Sequence, residues 1–163
     1  MGALYGTAYT LKFAMKKRGH DFKVAASEGL WSAAGGKRAI DQPRATWRWK
    51  LLIRVPDFVT RADVRDALDE LRAKKGPQPQ VSLETLREGD AVQMLHVGTY
   101  ADEPRSLAKM DEFARERKLR YRGAHHEIYL SDPRRVPSSR LRTILRHPVV
   151  AARRPHASSA ARA

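Results

Sequence analysis

Residues 125–135, HHEIYLSDPRR, place two histidines, a glutamate and a tyrosine in a run with strand-like alternation. Successive side chains of a strand point to opposite faces, so His125, Glu127 and Tyr129 share one face and His126, Ile128 and Leu130 the other. A carboxylate between an imidazole and a phenol is partly desolvated. Its basicity rises, and it can hold a water against an electrophilic carbon as a general base. The alternative is a Glu127 that pairs with an arginine on a solvated face. Parity also separates His125 from His126, so the two cannot readily share one ion, and His96 stands far off in sequence; no metal site is expected. His126 is expected to pack under helices as a satisfied core histidine, and His125 to orient Glu127.

Aromatic residues supply the other candidate chemistry. Trp31 ends a short strand beside a glycine-rich loop, and Trp47 and Trp49 lie on one face of TWRWKLLIRV, where core and ligand cage are both open readings. Tyr100 and Tyr129 are phenols that could donate to an oxygen gaining charge. Aromatic walls accept flat polycyclic ligands, and ring faces together with a carboxylate suit a cation. The chain has no cysteine, so disulfides, thiolate metal sites and a cysteine nucleophile are excluded. Neither a GxSxG elbow nor a GxxxxGK[ST] phosphate loop is present, and no cofactor is expected.

These residues need elements to hold them. Leu4, Ala8, Leu11 and Met15 recur at helical spacing before Gly19. DFKVAA and EGLWSA are short strand candidates, followed by the loop AGGKRAIDQPRAT. Residues 46–55 form the clearest strand, with Trp47, Trp49, Leu51, Ile53 and Val55 on one face. Thr60 and Asp63 predict the cap of a helix that buries Val64, Ala67, Leu68 and Leu71. VSLETLRE and AVQMLHVG are expected to form a hairpin at Glu88-Gly89-Asp90. Asp102-Glu103-Pro104 opens a helix burying Leu107, Met110, Phe113 and Ala114. After HHEIYL, a short helix is expected over SSRLRTILRH, and Pro148 to close the ordered chain. The pattern is α+β: an antiparallel sheet with helices on one face, whose uncovered face can curve into a cleft.

With 163 residues, one domain over 1–149 is expected, followed by a basic disordered tail at 150–163. The last 30 residues carry +8 of the formal +14, with no acidic residue, and the preceding 133 carry the remaining +6. Charge concentrated in this way points to a weakly electrostatic appendage, so specific nucleic-acid binding is not expected. The longest apolar runs are too short to span a bilayer, and no signal-peptide pattern opens the chain; a cytoplasmic protein without a membrane partner is expected.

Several blocks occur in order: ALYGTAYTLKF, EGLW, WRWKLLIRVPDFV, EGDAVQMLHVGTYADE, HHEIYLSDPRR and LRTILRHPV. Together, from about residue 3 to about residue 149, they resemble the GyrI-like small-molecule-binding proteins, most closely the branch carrying HHEIYLSDP. The resemblance implies two strand-helix-strand-strand units with a ligand cleft at their junction. It implies a function among drug-sensing modules, stand-alone binders, gyrase inhibitors and, in one branch, hydrolases of cyclopropane-bearing DNA alkylators of the yatakemycin type. That branch uses an aromatic cage and a cleft carboxylate. Here the resemblance points to Glu127 as catalytic residue and to Trp31, Trp47, Trp49, Tyr100, His125 and Tyr129 as ligand-binding residues. The expected ligand is a flat or cationic aromatic compound, and hydrolysis would serve self-protection or detoxification. A non-catalytic sensor or sequestering module, or a gyrase- or nucleic-acid-associated protein, is the alternative. Family members carry several dozen residues before the first helix, including a first strand, so the native chain is expected to begin upstream of Met1. Without that strand, a sheet edge would be left unpaired, and the chain could form a homodimer through it.

Overall fold

A computed structural model describes residues 1–36 and 38–152. Helix α1 (Gly2–Lys17) leads into strands β1 (Ser27–Ala33) and β2 (Trp47–Ile53), joined by short 3-10 turns rather than by featureless loop. Helix α2 (Arg61–Lys75) follows, then β3 (Ala91–Val97), α3 (Glu103–Glu116), β4 (Leu119–Tyr121), β5 (His125–Tyr129) and β6 (Arg142–Ala151). All strand pairings are antiparallel, in the order β2-β1-β5-β6-β3, with β4 pairing β6 beyond the end of β5. The second half reads strand-helix-strand-strand-strand, with β3 beside β6 and the short β4 ahead of β5; α1, β1 and β2 give a helix followed by two strands in the first half. Among the described residues β2 pairs only with β1, so its outer edge is free.

Local chemistry accounts for the helices. The Thr60 hydroxyl accepts from the Asp63 amide at 3.2 Å while the Asp63 carboxylate accepts from the Thr60 amide at 2.9 Å, the reciprocal cap that the sequence predicts. Val64, Ala67, Leu68 and Leu71 are buried on α2, and Val64 and Ala67 pack with Leu11 and Met15 of α1. On α3, Leu107 and Met110 pack on Val92, Leu145 and Val149 of the sheet. Phe113, expected in the core, is instead 42% exposed and lies under the guanidinium of Arg117. Over two turns of α3 the face turned to the sheet takes Leu107, Met110 and Ala114, and Phe113 falls outside that stripe.

Four expectations are corrected. The helix expected over SSRLRTILRH is the ten-residue strand β6, preceded by a single 3-10 turn at Ser138–Arg140. Leu141, Ile144 and Leu145 satisfy helical spacing, but three neighbouring strands offer backbone partners, and tertiary pairing overrides that local signal. Pro148 does not close the ordered chain, since β6 continues to Ala151. It sits in the gap between the β5 ladder, which ends at Arg146, and the β4 ladder, which starts at Val149. A missing N–H costs little there, and the Pro148 carbonyl still accepts from the Arg122 amide at 2.9 Å. The expected boundary at 149 thus falls within β6; of the tail expected over 150–163, residues 150 and 151 belong to that strand, and residues 153–163 lie outside the described residues.

DFKVAA and VSLETLRE join no ladder. Val81 and Leu83 pack instead against the α1–α2 cluster, so residues 81–88 act as a strap, and the partner of β3 is β6 rather than a hairpin neighbour. Finally, the cleft does not form on the uncovered face. Register places Glu127 beside Leu145, which packs under α3, so the cleft opens on the helix-bearing face.

Candidate functional site

The cleft has a volume of about 1400 Å³. Trp31, His125, Glu127 and Tyr129 reach it from β1 and β5, Tyr5 and Tyr9 from α1, and Glu103, Pro104 and Leu107 from α3. Strand parity therefore sorted the HHEIY run correctly: His125, Glu127 and Tyr129 all line the cleft, and His126 does not.

Glu127 is held by a short relay. The Trp31 indole N–H donates to the Tyr129 oxygen at 3.2 Å, and the Tyr129 hydroxyl donates to Glu127 Oε2 at 2.8 Å. Gly29 is paired with Glu127 in the β1–β5 ladder. A β-carbon on Gly29 would lie 2.8 Å from the Tyr129 oxygen and 2.9 Å from the Trp31 nitrogen, so the relay occupies space that only glycine leaves open. Burial raises the Glu127 carboxyl above its ordinary range; the hydrogen bonds from Tyr129 and Trp31 and the charge of His126 oppose it, and burial prevails. His125 Nε2 lies 3.6 Å from Glu127 Oε1, too far for a hydrogen bond. Burial, with His147 and Arg38 nearby, pushes the His125 imidazole down to about 3, so it is neutral and does not form an ion pair with Glu127.

Of the aromatic residues expected in the cage, Trp31, Trp47, Tyr100 and Tyr129 line the cleft. Trp31 and Trp47 meet edge to face at 5.9 Å, and Tyr100 and Tyr129 at 6.3 Å. Trp47 also donates to the Gln42 carbonyl at 2.9 Å. Trp49 is not brought to the cleft. It shares the parity of Trp47, but it lies on the free-edged strand and is 62% exposed.

Sequence reasoning missed Glu103. It is the first residue of α3, where an acidic side chain reads as an ordinary helix-start preference, so no signal marked it as a site residue. Its Oε1 is buried without a hydrogen-bond partner among the described residues. Burial, and then the negative charge of Glu127, push its carboxyl up to about 8. At neutral pH the cleft therefore holds a protonated carboxylic acid and, beside it, a carboxyl that burial makes more basic, two environments that suit an acid and a base. Tyr100 is raised by burial and by both glutamates.

His126 serves the opposite face. Its Nε2 lies 2.9 Å from Glu28 and its Nδ1 3.1 Å from Glu88, an arrangement that only the doubly protonated ring satisfies. Arg146 reaches Glu88 at 3.1 Å from the same face. His126 is satisfied as expected, but by the strap and two carboxylates rather than under the helices. His96 is likewise occupied, 2.9 Å from Ser106 Oγ and 2.9 Å from the Thr99 carbonyl.

The fold has counterparts. The GyrI-like small molecule binding domain matches residues 2–150. The chain belongs to the GyrI-like family. An uncharacterized conserved protein from Listeria innocua is 37% identical, with a TM-score of 0.82 over 91% of this chain and 78% of that one. A structure described as a hydrolase from Listeria innocua is 36% identical, with a TM-score of 0.77 over 91% of this chain and 77% of that one. No curated protein matches this chain. The GyrI-like family is one of small-molecule-binding domains. No helix among the described residues is long and apolar enough to cross a membrane.

Proposed function

We propose that this GyrI-like protein is a hydrolase of flat aromatic compounds bearing an activated cyclopropane, as in DNA alkylators of the yatakemycin type, and that it detoxifies them. The observation that carries the reading is the pair of cleft carboxyls: Glu127, aligned by the Tyr129 hydroxyl at 2.8 Å, and Glu103, protonated at neutral pH. The 36% identity to a protein described as a hydrolase supports it. The aromatic body of the substrate lies among Trp31, Trp47, Tyr100 and Tyr129. Glu127 takes a proton from water as the water oxygen bonds to a cyclopropane carbon. The ring C–C bond breaks, and its electron pair passes through the conjugated ring to the carbonyl oxygen, which takes up a proton from Glu103 and becomes a phenol. The two glutamates exchange their protonation states, and solvent restores them.

Glu127→Gln keeps the shape of the site and removes the base. With a yatakemycin-type alkylator, mass spectrometry of the ring-opened product should show a loss of ~10²–10⁴-fold in turnover, the usual weight of a general base, while binding persists. Stoichiometric binding to the wild-type protein with no product would sink the enzyme reading. It would favour a second one, a non-catalytic sensor or sequestering module for aromatic cations, which rests on the Glu127 carboxyl standing beside ring faces.

A further inference from the structure

Among the described residues strand β3 pairs only with β6, so it leaves the second edge of the sheet open. The ladder fixes which backbone groups face that edge. Just past its two ends, the Gly98 amide donates to the Leu141 carbonyl at 3.0 Å and the Val149 amide to the Asp90 carbonyl at 2.8 Å. Bonded and non-bonded residues alternate along an antiparallel strand, so Val92, Met94 and His96 bond to β6, and the amides and carbonyls of Ala91, Gln93, Leu95 and Val97 point outward. Pro148, which has no amide hydrogen, stands opposite Ala91, as that parity requires. The outward residues have exposed side chains as well, Leu95 at 42% and Val97 at 56%.

Edge strands are ordinarily blunted by charge, proline or a bulge, because an open row of amides and carbonyls invites another strand. The other edge strand, β2, follows that rule with the exposed Arg48 and Lys50. β3 does not. Residues 91–97, AVQMLHV, contain no Asp, Glu, Lys, Arg or Pro, and they pair one to one with β6 without a bulge. Val92 and Met94 pack with α3 and His96 is held by Ser106, so the helix braces this strand from the cleft side. The strand is also its own complement. An antiparallel copy centred on Met94 sets Gln93 against the partner's Leu95 and Ala91 against the partner's Val97, which matches every outward amide and carbonyl. On the helix-bearing face Met94 meets its own copy and Val92 meets the partner's His96, so no charge opposes a like charge. The same operation on β2 would crowd Arg48 and Lys50 of both copies onto one face.

We infer that a second copy of this chain pairs along β3 in that register and makes a symmetric dimer, with the two-fold axis passing through the sheet at Met94. The dimer edge is therefore β3, and not the β2 edge that a missing first strand would expose. Antiparallel pairing keeps the corresponding faces of the two sheets on one side, so both clefts open in the same direction from one continuous sheet. The interface stands apart from whatever the cleft binds or hydrolyses.

Analytical ultracentrifugation of the full chain over a dilution series tests this, and the mass should fall from that of two chains to that of one. Leu95→Lys sets an ammonium beside the partner's Gln93, which accepts from Arg146 at 2.9 Å, and should weaken association ~10-fold. Adding Gln93→Glu to it brings opposite charges into register and should restore the dimer. Leu95→Pro removes an outward amide while sparing the β6 ladder, and should leave a monomer. Amide exchange on the unmodified chain reads the same contact without any variant: Ala91, Gln93, Leu95 and Val97 should exchange ~10-fold or more slowly in concentrated than in dilute solution. A chain that is monomeric throughout the series would overturn the inference and leave the edge to a strand from another protein. A dimer whose four outward amides exchange as fast as in the monomer, or one that neither Leu95 substitution weakens, would overturn it too. So would a dimer weakened by Leu95→Lys that Gln93→Glu does not restore.

Discussion

Gly29 and Glu103 carry the sharpest consequences for single side chains. At Gly29, an added methyl meets the Tyr129 oxygen and the Trp31 nitrogen at distances that real β-carbons do not tolerate. Gly29→Ala should therefore break the relay while the ladder survives. A hydrogen bond to a charged group is worth ~1.5–3 kcal/mol, so turnover of a cyclopropane substrate should fall by ~10–100-fold in steady-state assays, with the fold intact by circular dichroism. Glu103 makes a different prediction. Burial, and then the charge of Glu127, push its carboxyl up to about 8 in the folded chain against an ordinary value of 4.5, so between those pH values the folded state binds the extra proton and stability falls as pH rises. Glu103→Gln should flatten the stability curve across that window in urea titrations. In the parent protein, activity that needs the protonated acid should decline as pH passes about 8.

At the scale of elements, the strap over residues 81–88 is fastened to the sheet by the contact of Glu88 with His126 on β5 and Arg146 on β6, and by Glu84 with Lys50 on β2. Burial works against the charged form of His126, but its hydrogen bonds with Glu28 and Glu88 prevail and raise it above its ordinary value. A raised histidine stabilises fully below its unfolded value of 6.5, and that contribution is lost as pH rises through the folded one. Amide exchange of residues 81–90 should therefore quicken as pH rises through that range, after correction for intrinsic rates, and His126→Gln should abolish the change. The same strap shows where local signals run out. Its Val-Ser-Leu alternation reads as a strand, but Val81 and Leu83 find apolar partners on helices. The capped start of α2 and the parity of HHEIY were legible because neighbours in the chain decide them. The strand state of β6 and the exposure of Trp49 were not, because they depend on which strands lie alongside. Glu103 was hidden for the same reason: only the folded sheet brings Glu127 near a helix start.

Across the whole molecule, charge and strand order set what the chain meets. Residues 153–163 contribute three arginines, so +11 of the formal +14 lies on the rest of the chain. Weak retention on immobilised DNA, falling steeply with salt, should therefore survive deletion of 153–163, with only a shallower slope of log affinity against log salt. Loss of all retention on that deletion would place the basic function in the segment instead. In the sheet, β6 pairs with β3, β5 and β4, and it supplies both Leu145 beneath α3 and His147 at the inner corner of the cleft. The cleft thus has no separate scaffold. A compound seated across Glu127 and His147 holds together the strands on which global unfolding depends, so a thermal melt of the unmodified chain can screen for its ligands without any enzymatic assay, with each hundredfold excess over the dissociation constant adding ~2.7 kcal/mol.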